Sequence, residues 1–111
     1  MKFAPAALSL ALLCSLYGPV MAQTGAAEAD AAAGETLYAR ACAQCHGRTG
    51  RGMASFPSLE DLDAETVTAR LEAYRAGESV GPNSALMKPV AKRLSDEEIA
   101  DLAAFVSQGF R

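Results

Sequence analysis

Four stretches of the chain carry apolar residues in an ordered pattern. Residues 3–17 form an almost unbroken apolar run behind Lys2, ended by Gly18-Pro19. After an alanine-rich polar interval, Gly34, Leu37, Tyr38 and Ala41 recur at i, i+3, i+4 and i+7, the stripe of a helix that runs into Cys42. Val67, Leu71 and Tyr74 mark a second helix, with Asp63 placed to cap its start, Leu62 and Val67 at staple positions, and Gly77 at its stop. The last helix is the most sharply signalled. Ser95-Asp96-Glu97-Glu98 is a capping box flanked by Leu94 and Ile99, and Ile99, Leu102, Ala103 and Val106 continue as a stripe with Phe105 beside it. Three acidic residues in that first turn also suit the positive end of the helix dipole. No segment alternates with period two, so the pattern predicts an all-α domain with loops at 47–62 and 77–86.

The first apolar run has a different purpose. A lone lysine, about 15 apolar residues and the small-residue pattern Val20-Met21-Ala22 before Gln23 follow the order of a secretory signal peptide, with cleavage after Ala22. The alternative, an uncleaved anchor, needs roughly 20 apolar residues to cross a bilayer, and this run is broken by Ser9, Ser15 and Gly18-Pro19. Cys14 is preceded by Leu13 rather than by the small residue that lipoprotein processing prefers, so it leaves with the signal. Residues 23–33 read as a mobile leader, and residues 34–111 as the folded domain.

Length and charge then narrow the field. Of 111 residues, 89 remain after such cleavage, enough for one small domain. They carry nine basic residues against thirteen acidic ones, and an acidic surface is a poor match for a phosphate backbone. Nucleic acid is therefore not an expected partner. Aromatic residues make up only 6% of the chain and tryptophan is absent, so something other than side chains is needed to fill the core.

Cys42-Ala43-Gln44-Cys45-His46 supplies the candidate. In an exported chain, directly after a helix, Cys-x-x-Cys-His is the attachment pattern of a c-type haem. Thiols three positions apart sit one helical turn from each other and reach the two vinyl groups along one porphyrin edge, while the next residue carries its imidazole under the iron. Rival readings fit less well. A structural zinc site wants four ligands, and Cys42, Cys45 and the chain's single histidine give three. A thioredoxin-like redox pair expects a βαβ setting, and a plain disulfide leaves His46 without a role.

With His46 the only histidine, a second imidazole ligand from the same chain is impossible, and a thioether is the natural sixth ligand. Met53 follows His46 by only seven residues. Met87 lies 41 residues beyond it, with enough chain between them to wrap a porphyrin, although methionine also serves simply to fill irregular gaps in a core.

From residue 34 to 108 the order of these elements resembles the class I mono-haem c-type cytochromes, and within them single lobes of periplasmic di-haem cytochromes c and the cytochrome subunits of flavocytochrome c sulfide dehydrogenases. The matching segments are Gly34 and Leu37, Cys42 to His46 with Gly47, Phe56-Pro57-Ser58-Leu59, Tyr74-Arg75-Ala76-Gly77-Glu78, Met87, and the run from Leu94 to Ala103. The resemblance implies the small cytochrome c fold, about four helices wrapped around one covalently attached haem. It implies that the first and last helices cross in contact at Gly34, with Leu37 meeting Phe105, and that the Pro57 carbonyl accepts the His46 Nδ1–H. Two positions depart from the pattern: Phe105 stands where many relatives carry tyrosine, and Glu60-Asp61 replaces the Gly-Gln common in di-haem lobes.

The site residues expected on this reading are Cys42 and Cys45 as haem tethers, with His46 and Met87 on the iron. Filling both axial positions favours electron transfer over small-molecule chemistry, so the expectation is a periplasmic electron carrier rather than an enzyme, passing single electrons between redox partner proteins. A haem subunit of a larger periplasmic oxidoreductase, such as a flavoprotein dehydrogenase, is the alternative. A haem enzyme or gas-binding protein would need Met87 off the iron. Lys88, Lys92 and Arg93 follow Met87 closely and either steer an acidic partner or form an ordinary solvated helix face.

Overall fold

The computed structural model describes Met1 and residues 28–111. The expected signal peptide at 1–22, with its cleavage site and Cys14, and the first part of the leader lie outside the described residues. Five helices follow in order: α1 Ala31–Ala41, α2 Ala43–His46, α3 Ala64–Arg75, α4 Ser84–Ala91 and α5 Asp96–Gly109. Among the described residues there is no strand, only an isolated bridge between Met53 and Phe56. None of the helices there is long and apolar enough to cross a membrane.

Local chemistry sets the helix ends. Asp63 accepts the Thr66 N–H at 2.7 Å to start α3, and Gly77 follows its end at φ 87°, a conformation glycine adopts without penalty. The capping box of α5 is complete, with Glu98 N–H donating to Ser95 Oγ at 3.1 Å and Ser95 N–H to the Glu98 carboxylate at 2.9 Å. Two boundaries differ from the sequence pattern. α1 begins at Ala31, inside the expected leader, because the Asp30 carboxylate accepts from the N–H groups of Ala32 and Ala33 and alanine is the best helix former. α4 begins at Ser84, inside the expected second loop. There Ser84 Oγ accepts the Val80 and Gly81 N–H groups and donates to the Gly81 carbonyl. Pro89 sits inside α4, and the carbonyl it leaves without a helical donor belongs to the exposed Ala85.

Packing is organised around α5. α1 and α3 both pack on it, and α4 packs on α3. Leu37 and Tyr38 from α1, Val67 from α3, Ile99, Leu102, Ala103 and Val106 from α5, with Leu94 and Phe110 at its ends, make the buried core. At the α1–α5 crossing a Cβ on Gly34 would run into the Asp101 carbonyl and reach within 2.9 Å of Phe105 Cβ, so the close approach requires glycine. The buried Asp101 carboxylate accepts the Asp30 N–H at 2.7 Å and pins the start of α1 to α5. Phe105 meets Tyr38 and Phe110, with ring centroids 5.3 Å from each, and Tyr38 meets Phe110 at 5.0 Å. These three rings form the aromatic centre of the core.

Candidate functional site

The single turn of α2 explains how the Cys-x-x-Cys-His segment is presented. The Cys42 carbonyl accepts the N–H groups of both Cys45 (3.2 Å) and His46 (3.0 Å), which winds the three side chains through one turn. Gly47, at φ 82°, then reverses the chain into the 47–62 loop. The Tyr38 hydroxyl donates to the Gly47 carbonyl at 2.7 Å, tying this turn back to α1. Cys42 and Cys45 are free thiols rather than a disulfide. Burial, followed by the neighbouring Cys45, pushes the Cys42 thiol up to about 11, so it is protonated at neutral pH.

His46 is buried, and its Nδ1 lies 2.9 Å from the Pro57 carbonyl. A carbonyl only accepts, so Nδ1 carries the proton and Nε2 is the nitrogen left as a donor of electrons. The loop that delivers Pro57 is held from both ends. Gly52 N–H donates to the His46 carbonyl at 2.8 Å, and Leu59 N–H to the Gly50 carbonyl at 2.6 Å. Asn83, at the start of α4, donates its side-chain amide to the Ser55 carbonyl at 2.9 Å, linking this loop to the helix that carries Met87.

Two cavities open beside this segment. The larger, about 640 Å³, is bordered by α1, α3, α5 and the 47–62 loop, and includes Val67, Leu71, Leu102 and Val106. The second, about 480 Å³, lies towards α4 and includes Cys45, Phe56, Leu86 and Val90. Cys42, His46, Pro57 and Met87 border both. The walls of both are mostly aliphatic and aromatic, as in a site for an apolar organic ligand.

The residues present fit a c-type haem. Two thiols one turn apart, an imidazole with Nε2 unclaimed and a thioether are all at the wall of one apolar recess, and nitrogen with thioether sulfur is a donor set that iron in a haem accepts. The other methionine weighed from the sequence stands elsewhere. Met53 is 51% exposed, exchanges two backbone hydrogen bonds with Phe56 and borders neither cavity. Among the described residues no group of three or more His, Cys, Asp or Glu side chains assembles, so Cys42, Cys45 and His46 gain no further zinc ligand.

The structure also brings to the cavities residues that were not among the expected site residues. Arg70 borders the larger cavity, as does Tyr74 one turn later, and Leu86 borders the second while 57% exposed. Arg70 falls beside the Val67–Leu71–Tyr74 stripe with no acidic residue three or four positions away on its helix, a signal that was present in the sequence. Lys92 and Arg93 are exposed at the end of α4, and Lys88 Nζ donates to Ser79 Oγ at 3.0 Å. None of these three borders a cavity.

Comparison with known proteins agrees with this geometry. A family model described as Cytochrome c matches residues 31–109. The cytochrome c-554(548) of Halomonas halodenitrificans is 47% identical over 79 residues, spanning 70% of this chain and 94% of that protein. A thiosulfate dehydrogenase electron acceptor of Stutzerimonas stutzeri is 39% identical over 87 residues, spanning 69% of this chain and 39% of that one. Among solved structures, reduced cytochrome c4 from Pseudomonas stutzeri superposes with a TM-score of 0.64 at 29% identity, over 73% of this chain and 48% of the other. The chain thus spans about half the length of that structure.

Proposed function

The chain belongs to the cytochrome c family, carrying one covalently bound haem c as an electron-transfer protein, and from that premise we propose that it is a periplasmic carrier whose haem is tethered by Cys42 and Cys45 and ligated by His46 and Met87. One observation carries the reading: the apolar recess is bordered on both of its sides by Cys42, His46 and Met87 together. When bound, the haem supplies a single reversible electron at its iron.

The chain's own residues do the rest. The Pro57 carbonyl holds the His46 Nδ1–H and so orients the ring and makes Nε2 a better donor to iron. Bound to the iron, the Met87 thioether would favour the reduced metal, and the apolar walls would disfavour the extra charge of the oxidised one, so both would raise the potential. With His46 and Met87 both holding the iron, no coordination site would be left for a small molecule, and the site would serve as a relay. Residues 1–22 act as the export signal and residues 23 onward lead into the domain, which places the protein in the periplasm, where haem attachment to thiols takes place.

The likeness to a protein named as the electron acceptor of thiosulfate dehydrogenase supports a second reading, in which the chain serves as the haem subunit of a larger oxidoreductase. Expression with a haem-attachment apparatus tests the main reading. The intact mass should equal that of the chain from residue 23 plus one haem, and Cys42→Ala combined with Cys45→Ala should yield colourless protein. An unmodified mass in the parent protein refutes it. Size-exclusion of the native protein separates the free carrier from a subunit.

A further inference from the structure

α5 ends at Gly109, and the residue after it turns back into the molecule. Phe110 is buried, with its N–H donating to the Val106 carbonyl at 3.2 Å and its ring edge-on to those of Tyr38 and Phe105. It lies one position past the stretch that the family match covers, so its contacts alone say what it does.

Two of those contacts reach the 47–62 loop. The ring rests on the buried backbone of Gly50, where a Cβ would collide with it at Cγ, Cδ2 and Cε2, and the Phe110 carbonyl accepts the Asp61 N–H at 2.8 Å. Both anchor points lie on the path to the imidazole. The Gly50 carbonyl accepts the Leu59 N–H at 2.6 Å, two residues after Pro57, whose own carbonyl stands 2.9 Å from His46 Nδ1. Tyr38, its ring centroid 5.0 Å from that of Phe110, fastens the residue after His46 through its bond to the Gly47 carbonyl.

Resting on the haem assignment of the preceding subsection, we propose that Phe110 is a positioning residue for His46: its ring and carbonyl lock the 47–62 loop, which keeps the Pro57 carbonyl on the Nδ1–H and so sets how strongly Nε2 donates to iron. A held Nδ1–H makes the imidazole a stronger donor, and a stronger donor favours the oxidised metal. Loosening the loop therefore raises the potential.

The test uses the haem-bearing protein and two readouts, hydrogen exchange of the His46 Nδ1–H in the reduced state and the midpoint potential. In Phe110→Ala the hold of the ring on Gly50 is gone while the main-chain bond to Asp61 can persist, so the loop opens locally. Exchange at His46 should accelerate about tenfold more than exchange of the Leu102 amide in the middle of α5. The oxidised-to-reduced ratio at a given poise should fall about threefold, a rise of about 28 mV for one electron. Ile99→Ala is the control. Ile99 is 1% exposed, belongs to the same core and borders neither cavity, so its loss weakens the whole domain. That variant should speed the Leu102 amide at least as much as the His46 proton and leave the potential unmoved. Phe110→Leu keeps an apolar side chain over Gly50 and should move both readouts in the direction of Phe110→Ala by a smaller amount. If the alanine variant takes up no haem, the leucine variant decides by the same criteria.

Equal acceleration at His46 and Leu102 in the Phe110 variants, or a potential that does not move, overturns this proposal alone and leaves Phe110 as a core filler. An equal rise of potential in Ile99→Ala overturns it as well, because the effect would then be one of general weakening. A parent protein that matures without covalent haem overturns the preceding reading and this one with it.

Discussion

Replacing Gly34 with alanine tests the architecture that holds the site together. Alanine favours the helix over glycine by about 0.5–1 kcal/mol, so on propensity alone Gly34→Ala stabilises α1. Packing opposes this. The new Cβ would overlap the Asp101 carbonyl and stand 2.9 Å from Phe105 Cβ. The first obstacle is main chain inside α5, which cannot rotate away, so α1 and α5 must separate. Overpacking of this kind costs about 1–3 kcal/mol, and a backbone obstacle places it at the upper end. The net loss is about 2 kcal/mol, which lowers Tm by roughly 8–16 °C in a domain of this size. Thermal melts of the haem-bearing parent and variant by far-ultraviolet circular dichroism measure it. Gly77→Ala is the comparison, because at φ 87° and with nothing near its Cβ it carries only the left-handed strain of about 1 kcal/mol. A Tm for Gly34→Ala equal to or above that of the parent refutes the close-crossing argument.

Other outcomes follow from single interactions. Tyr38→Phe removes the donor to the Gly47 carbonyl and should cost about 1–2 kcal/mol in denaturant unfolding. Burial first, and in the chain before haem attachment the Cys42 thiolate second, push Tyr38 up from 10.0 to about 12; its neutral form is favoured by folding, so that contribution is full below pH 10 and is lost as pH rises through about 12. Tyr38→Phe should lack this alkaline loss. The Asp63 carboxyl is held below 3.8 by the Thr66 N–H, so its cap contributes above that pH and fades as acid protonates it; the parent's advantage over Asp63→Ala at neutral pH should shrink in acid unfolding curves. If the α4 cations steer docking, Lys88→Glu with Lys92→Glu slows reduction by an acidic partner at low salt, and a rate unchanged across ionic strength removes that role.

What could be read along the chain was what depends on near neighbours. The caps at Asp63 and Ser95 bond to groups three residues away, and the spacing of Cys42, Cys45 and His46 is set within one turn. The close approach at Gly34 and the role of Pro57 came from the family resemblance, and the crossing of α1 with α5 at Gly34 and the His46 bond to Pro57 are where that likeness places them. The start of α1 was not legible, because alanines around Asp30 form no apolar stripe and the anchor is Asp101, 71 residues away. The start of α4 was hidden by a proline within it and by a cap network that Ser84 makes backwards to Val80 and Gly81. The Asn83 link to Ser55 forms only once α4 is packed beside the 47–62 loop, and no local pattern encodes that arrangement.

The central claim is that one recess brings the imidazole of His46 and the thioether of Met87 to the same iron. The visible and near-infrared spectrum of the oxidised protein tests it most directly. The weak band of a thioether bound to ferric iron should be present in the parent and in Met53→Ala and absent in Met87→Ala. Loss of that band in Met53→Ala, with its survival in Met87→Ala, would contradict the account.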